Sequence, residues 1–254
     1  MESLRCLCGV QLDAVDDAAL FVVLREHVEE AHAHWKLPDE ALRAVLARRA
    51  QMARWDGQTT PLPADLEIRP LGPERLDEFL QFFDREGFRD NPFWASCYCM
   101  EAHFTGTPEE WNRRTAEQNR RNKSELIRSG QAHGYLAYAG SQPIGWCHAA
   151  PRLSLAGVMA DTELHVEDAE RVGSVYCFVI APPYRRQGVA ARLLDAACEG
   201  FRREGLTTAE AYPPRETRSD AGGYHGTLTM YLAAGFRIFR EGKQQLIVRK
   251  QLQE

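Results

Sequence analysis

No apolar run in the 254-residue chain approaches the ~18 residues that a membrane-spanning helix needs, which excludes that class of protein. The start, Met1-Glu2-Ser3-Leu4-Arg5-Cys6, has no apolar core of a secretion signal. Cations are not in excess: 31 Lys and Arg stand against 36 Asp and Glu, for a formal net charge of −5. That balance argues against a nucleic-acid surface built on bulk positive charge and favours a cationic substrate or partner. There is no Gly-x-x-x-x-Gly-Lys-Ser/Thr loop, so nucleoside-triphosphate hydrolysis has no support. Internal repeats and low-complexity tracts are missing as well. The seven cysteines are an odd number, and without a secretion signal they read as thiols or metal ligands, not as a disulfide framework. The expected setting is the cytoplasm, with neither nucleic acid nor membrane as partner.

What the chain does hold falls into two parts. Asp56-Gly57-Gln58-Thr59-Thr60-Pro61-Leu62-Pro63 is polar, contains Gly and two Pro, and lacks periodicity, so it reads as a linker. Before it, a helix capped at Asp16/Asp17 aligns Leu20, Leu24, Val28 and Ala31. A second helix, with Pro38 in its first turn, aligns Leu42, Val45 and Leu46. After the linker, strand and helix patterns alternate, which implies an α/β sheet. Strands are expected at 66–69, 172–180, 207–212, 236–240 and 244–250, with a hairpin of 134–139 and 143–149 turning at Gly140-Ser141. Helices are expected near 73–83, at 187–204 and at 225–234, and one long polar helix is expected from a Thr107 cap to about Ser129.

The run Val179-Ile180-Ala181-Pro182-Pro183-Tyr184-Arg185-Arg186-Gln187-Gly188-Val189-Ala190 leaves an apolar strand and opens a helix. A pyrophosphate needs several backbone N–H groups converging on it, and the first turn of a helix offers them with the positive end of the dipole. Gly188 and Ala190 are small enough for phosphates to approach the backbone. Arg185 and Arg186 add positive charge at the same place.

These residues resemble the GNAT superfamily of N-acetyltransferases. The family signature is Arg or Gln, two residues, Gly, one residue, then Gly or Ala, and Arg185, Gly188 and Ala190 satisfy it. Tyr231-Leu232-Ala233-Ala234-Gly235-Phe236 is similar to the family's Tyr-x-x-x-Gly-Phe element, and the resemblance runs from about Leu66 to Lys250. It implies a mixed, mostly antiparallel central sheet flanked by helices, with acetyl-CoA as cosubstrate. Backbone groups of Phe178, Val179 and Ile180 would pair with pantetheine, and the amides of Arg186, Gln187, Gly188, Val189, Ala190 and Ala191 would hold the pyrophosphate. A strand N–H would polarise the thioester carbonyl. Tyr231 matches the tyrosine that protonates the departing thiolate: a phenol at ~10 lies above a thiol at ~8.5 and keeps its proton at neutral pH. Many relatives place a glutamate base on the strand before the loop. Ser174 stands near that position here, and Glu210 on the next strand is the candidate base. Tyr224 replaces an Asn that often contacts pantetheine, after a long Pro213–Gly223 insertion expected to shape the acceptor site.

Two further clusters stand out. Asn91-Pro92-Phe93-Trp94-Ala95-Ser96-Cys97-Tyr98-Cys99 with His103 fits three uses: packed thiols, an apolar wall of the acceptor pocket, or a metal site joined by Cys147 and His148. Asp161, Glu163, Glu167, Asp168 and Glu170 read as a solvated acidic loop or as an attractor of cationic amines.

At the amino terminus Cys6-x-Cys8-Gly9 precedes a helix bearing His27 and His32, with Leu24 three residues before His27 as in two-Cys, two-His zinc fingers. Two thiolates on a turn and two imidazoles on one helix close a tetrahedral Zn²⁺ site, and a module under about 60 residues benefits from such a staple. The helix carries Glu26, Glu29 and Glu30 with Arg25 alone as a cation, which argues against DNA reading. The expected organisation is a small α-rich metal-binding module at 1–57, a linker at 58–64 and an acetyltransferase domain at 65–254. The expected reaction moves acetyl from acetyl-CoA directly to a primary amine of a small molecule or protein. The rival reading is a non-catalytic acyl-CoA-binding regulator whose amino-terminal module docks a protein partner. Self-association is left open.

Overall fold

The computed structural model describes residues 1–6, 8–51, 57–216 and 223–252. The chain opens with a hairpin of β1 (Glu2–Arg5) and β2 (Gln11–Ala14), followed by α1 (Asp17–Ala31) and α2 (Asp39–Gln51). Asp16 caps α1 by accepting from Ala19 N–H at 2.8 Å, which satisfies one of the four orphan amides of the first turn. Leu20, Leu24 and Val28 fall on one stripe and pack with Leu4, Leu12, Leu42 and Leu46 into a core of their own. Ala31, expected on that stripe, is exposed. The hairpin escaped the sequence reading because four-residue strands are too short to display a period.

The second part is a seven-stranded sheet in the order β3-β4-β5-β6-β7-β9-β8. Its strands are β3 (Glu67–Pro70), β4 (Tyr135–Ala139), β5 (Gln142–Pro151), β6 (Val172–Ile180), β7 (Thr208–Ala211), β8 (Arg237–Glu241) and β9 (Leu246–Gln251). All neighbours are antiparallel except β6 and β7, which run parallel. This is the mixed, mostly antiparallel sheet expected. The helices are α3 (Leu76–Gln81), α4 (Pro108–Asn112), α5 (Ala116–Arg128), α6 (Ala156–Ala160), α7 (Val189–Arg203) and α8 (Leu228–Ala233).

Helix α7 covers one face of the sheet. Val189, Leu193, Leu194, Ala197, Cys198 and Phe201 are buried at helical spacing and join Ile144, Ala149 and Val175 in one core. The other face is filled by α3 and the segment after it, where Phe79, Phe82, Phe83 and Phe88 stack around Trp146 and Tyr138. The expected long helix from Thr107 is two helices. Thr107 and Thr115 each close a capping box, with Glu110 and Gln118, and the second box restarts the chain as α5.

The expected linker is tied down where it is described. Thr60 N–H donates to Pro183 O at 2.9 Å and Leu62 N–H to Gln187 Oε1 at 3.0 Å. The module boundary proposed at residue 57 adjoins residues 52–56, which lie outside the described ones. Residues 217–222 of the Pro213–Gly223 insertion lie outside them too.

Candidate functional site

Strand β6 pairs with β5 along its length but with β7 only over Val172–Val175. Past Val175 the two parallel strands part, and one edge of β6 is left open from Tyr176 to Ile180. On that edge Phe178 N–H donates to Tyr224 O at 2.6 Å. Strand alternation puts Ile180 on the same edge, and its carbonyl accepts from Arg185 Nε at 2.9 Å.

β6 then turns through Pro182–Tyr184 into α7. Arg186 (φ 61°) and Gly188 (φ 82°) both take left-handed backbone, and Gly188 is the helix N-cap. A Cβ on Gly188 would meet nothing within 4 Å, so glycine is required there by conformation, and the space in front is open. The N–H groups of Val189, Ala190 and Ala191 begin the helix and have no carbonyl four residues back within it.

A groove of about 620 Å³ lies against these elements. Of the residues expected to hold the cofactor, Phe178, Ile180, Arg185, Arg186, Gly188, Val189, Ala190 and Ala191 line it. Gly226, Thr227 and Met230 form the opposite wall. Two expected residues point elsewhere. Gln187 spends its amide on the linker, with Nε2 donating to Thr60 O at 2.9 Å and Pro183 O at 3.2 Å. Val179 is buried and faces a second cavity. Arg185 lines the groove, but its guanidinium grips Asp90 at 2.5 and 2.9 Å, so it fastens the loop as well as lending charge.

The second cavity is small, apolar and partly enclosed, about 20 Å³, and Tyr224 lines both. Its walls include Trp94, Cys97, Cys99 and Glu101 from the segment after α3, Tyr176 and Cys177 from β6, and His225. The cluster expected to serve as packing, pocket wall or metal site therefore splits: Cys97 and Cys99 line this cavity, while Cys147 lies in the core on the α7 side. His103 faces His148 with ring centroids 5.2 Å apart. Burial lowers His103 from an ordinary 6.5 to about 3 and pushes His148 well below its ordinary value, so both are neutral imidazoles. His225 Nδ1 lies 2.7 Å from Tyr176 O. An imidazole that donates there presents Nε2 as an acceptor.

Tyr231 lies one layer behind the groove wall. It is fully buried, and its hydroxyl donates to His225 O at 2.9 Å. Burial raises the phenol well above 10, so it keeps its proton. Glu210 departs from the expected role of base. It is fully buried, with Oε1 accepting from Arg152 Nη1 at 2.5 Å and Tyr212 OH at 2.7 Å, and Oε2 accepting from Arg249 Nε at 2.7 Å. A carboxylate held by two guanidiniums and a phenol is an anchor between strands, with no face turned to the groove. Ser174 belongs to the same network through Tyr212 OH at 2.8 Å. The acidic loop is structural where it is paired: Asp168 grips Arg249 at 2.9 and 3.0 Å, and Asp161 caps Glu163 N–H.

Among the described residues one Cys/His group gathers its ligand atoms: Cys6, Cys8, His27 and His32, all within 4.8 Å of one another. Cys6 Sγ to His32 Nε2 and Cys8 Sγ to His27 Nε2 are each 3.3 Å. A tetrahedral site with bonds of about 2.0–2.3 Å has edges of roughly 3.3–3.8 Å, and the two 3.3 Å Cys–His separations fall at that length.

Sequence reasoning passed over Glu101, Tyr176 and His225. They belong to no motif, and only the parting of β6 from β7 brings them to one cavity. His225 carried one usable signal, its position next to Tyr224, where the family pattern is broken.

The sequence profile of the Acetyltransferase (GNAT) family matches residues 94–220, half of the chain. The chain belongs to that family. No curated protein matches it. Solved structures similar to it include the paia N-acetyltransferase of Thermoplasma acidophilum in complex with coenzyme A. That pair shares 17% identity, covers 74% of this chain and 99% of that one, and has a TM-score of 0.46. The acetyltransferase yncA of Salmonella typhimurium, with its cofactor acetyl-CoA, shares 12% identity over 75% of this chain and 96% of that one, with a TM-score of 0.46. The ribosomal-protein-S5-alanine acetyltransferase of Vibrio fischeri shares 13% identity over 78% and 98%, with a TM-score of 0.45.

Proposed function

We propose that this member of the GNAT family transfers acetyl from acetyl-CoA directly to a primary amine. The observation that carries the reading is the 620 Å³ groove between the open edge of β6 and the start of α7. Its size suits a cofactor-sized ligand, and its floor is a left-handed glycine followed by unpaired helix amides. In this reading the amides from Arg186 to Ala191 hold the pyrophosphate, including the main chain of Gln187, whose side chain is engaged elsewhere. The β6 edge at Phe178 and Ile180 takes the pantetheine arm, and Phe178 N–H exchanges its Tyr224 carbonyl for that arm or for the thioester oxygen.

The partly enclosed cavity beyond Tyr224 is the place for the acceptor nitrogen. Glu101 supplies the negative charge that draws an ammonium group, and His225 Nε2 takes its proton as general base. Tyr231 remains the donor to the departing thiolate, and to act it must trade His225 O for the sulfur. In the amino-terminal module Cys6, Cys8, His27 and His32 hold a structural Zn²⁺. The ion's chemistry there is cross-linking: it ties the hairpin to the helix.

Calorimetric titration of acetyl-CoA into wild-type protein and Gly188→Glu tests the groove. A side chain at φ 82° strains the backbone by about 1–2 kcal/mol, and its carboxylate repels the pyrophosphate. Affinity is expected to fall by at least ~100-fold, about 2.7 kcal/mol, with the fold retained. Equal affinity in the two proteins overturns the assignment of the groove.

A further inference from the structure

Lys123, on α5, is fully buried, and its Nζ makes no hydrogen bond. Burial pulls the Lys123 ammonium down from an ordinary 10.5 to about 8, and a nearby anion favours its charged form. Its ionisable neighbours are the thiols of Cys97, Cys99 and Cys177, alongside the Trp146 ring, whose centroid lies 5.9 Å from Nζ. Cys99 is the thiol best placed to supply the anion. Trp146 Nε1–H donates to its sulfur at 3.2 Å, and Cys177 lines the same cavity. Burial opposes a thiolate there, but the neighbouring Cys177 thiol, the Lys123 charge and the indole N–H together outweigh it and bring Cys99 below its ordinary 9.0. Cys177 moves the other way, because its proton is held by Cys99 and because it is buried. The backbone is strained at this point: Tyr98 (φ 47°) and Cys99 (φ 50°) are consecutive non-glycine residues in the left-handed region.

Both cysteines line the partly enclosed 20 Å³ cavity, which has room for a water-sized molecule and little more. We propose that Cys99 and Cys177 are a peroxide-reactive dithiol that closes to a disulfide across the acceptor cavity. The Cys99 thiolate attacks one oxygen of hydrogen peroxide. The S–O bond forms, the O–O bond breaks, and the leaving hydroxide takes a proton to become water. The Cys177 sulfur, giving up its proton, then attacks the sulfenic sulfur. The S–S bond forms, and the displaced hydroxide leaves as a second water. Two thiol sulfurs are oxidised by two electrons in all, and one peroxide is reduced. The disulfide joins β6 to the segment after α3 and removes the cavity between them. The reaction of the thiols stands apart from the acetyltransferase reading; only its consequence for acceptor binding rests on it.

The test uses reduced full-length protein and hydrogen peroxide, with tert-butyl hydroperoxide as the bulky comparison, followed by alkylation and peptide mapping. The expected product is a Cys99–Cys177 cross-linked peptide, reversed by dithiothreitol and formed more slowly with the bulky peroxide. Cys177→Ser changes a single atom and should stop the reaction at a Cys99 sulfenic acid, read as the gain of one oxygen on the Cys99 peptide by mass spectrometry after denaturation with dimedone present. Lys123→Met should slow the reaction on the order of 10-fold, because the thiolate loses its nearby positive charge. Cys99 oxidising no faster than Cys147, or a cross-link that uses Cys97 instead, overturns the proposal. A disulfide that forms yet leaves amine turnover unchanged places the acceptor elsewhere without touching the thiol chemistry. Loss of turnover with acetyl-CoA affinity intact ties the two together.

Discussion

Replacing Tyr231 by Phe keeps a buried ring against Phe178 and Phe236 and deletes one hydroxyl. Two consequences can be sized separately. The hydroxyl donates to His225 O, and deleting it leaves a carbonyl in a buried setting without that donor. Such a loss costs about 1–2 kcal/mol of stability, or roughly 2–6 °C in melting temperature for a chain of this length. If the hydroxyl also protonates the departing thiolate, the loss appears in the transition state, where general acid assistance is worth ~100- to 10,000-fold. The kinetic effect, about 3–5 kcal/mol, exceeds the structural one and is read in a different quantity. The expected result is a fall in kcat and kcat/KM by at least ~100-fold with acetyl-CoA affinity unchanged, the pattern of an interaction made only in the transition state. Steady-state release of the CoA thiol with an accepted amine, under conditions where chemistry limits turnover, measures it. A thermal melt confirms the fold. His225→Gln is the companion: it keeps a side chain able to donate to Tyr176 O but removes the basic Nε2, and a loss of similar size is expected. A Tyr231→Phe enzyme within about threefold of wild-type kcat refutes the acid role, since it falls below the range of general acid catalysis, and leaves Tyr231 as a brace for the Tyr224–Gly226 loop.

Two further outcomes are expected. Protein purified without a metal-binding tag should carry one Zn²⁺ per chain through Cys6, Cys8, His27 and His32, contributing on the order of 10 kcal/mol to ordering the module; elemental analysis checks this, and unchanged metal content in the Cys6→Ser, Cys8→Ser double variant speaks against it. His103 has a folded value near 3 against an ordinary 6.5, so the unfolded chain binds the proton first; stability is full above about 6.5 and falls between 6.5 and 3, on the order of 4 kcal/mol, and denaturant titrations of wild type and His103→Gln across that window should converge toward pH 7 and diverge below it.

The fold was legible in the sequence wherever a pattern was long enough to have a period. Val172–Ile180 was legible because it is a mostly buried run rich in Val, Tyr, Phe and Ile, and α7 because its apolar stripe repeats for about four turns. The β1–β2 hairpin and the break between α4 and α5 were not legible: the first is too short, and the second depends on a capping box at Thr115 that sits inside a uniformly polar stretch. The groove was legible because its floor is contiguous in sequence, from Phe178 to Ala191. The rest of the site was not, since it is assembled from three separate segments. Glu210 shows the limit of arguing from strand position alone. The strand was right, but the side chain's partners, Arg152 and Arg249, come from segments about 60 and 40 residues away, and no spacing rule connects them to it.

The amino-terminal module gains a role from where α2 ends. Arg48 donates to Phe83 O and Ala95 O, each at 3.4 Å, and its guanidinium also reaches Asp84 and the hydroxyl of Tyr98. Arg120 of α5 grips the same Asp84 at 3.0 Å. The segment that supplies Trp94, Cys97, Cys99 and Glu101 to the partly enclosed cavity is thus held from outside by a residue of the module. The groove floor is also fastened by Asp90 and Thr60. Through Arg48 a disturbance of α1 and α2 has a direct path to the cavity assigned above to the acceptor. On the proposed reading, the Cys/His cluster is part of the scaffold of one wall of the acceptor cavity. Its loss should raise KM for the amine while the dissociation constant for acetyl-CoA stays put, a separation that a module serving only as a docking tag for another protein would not produce.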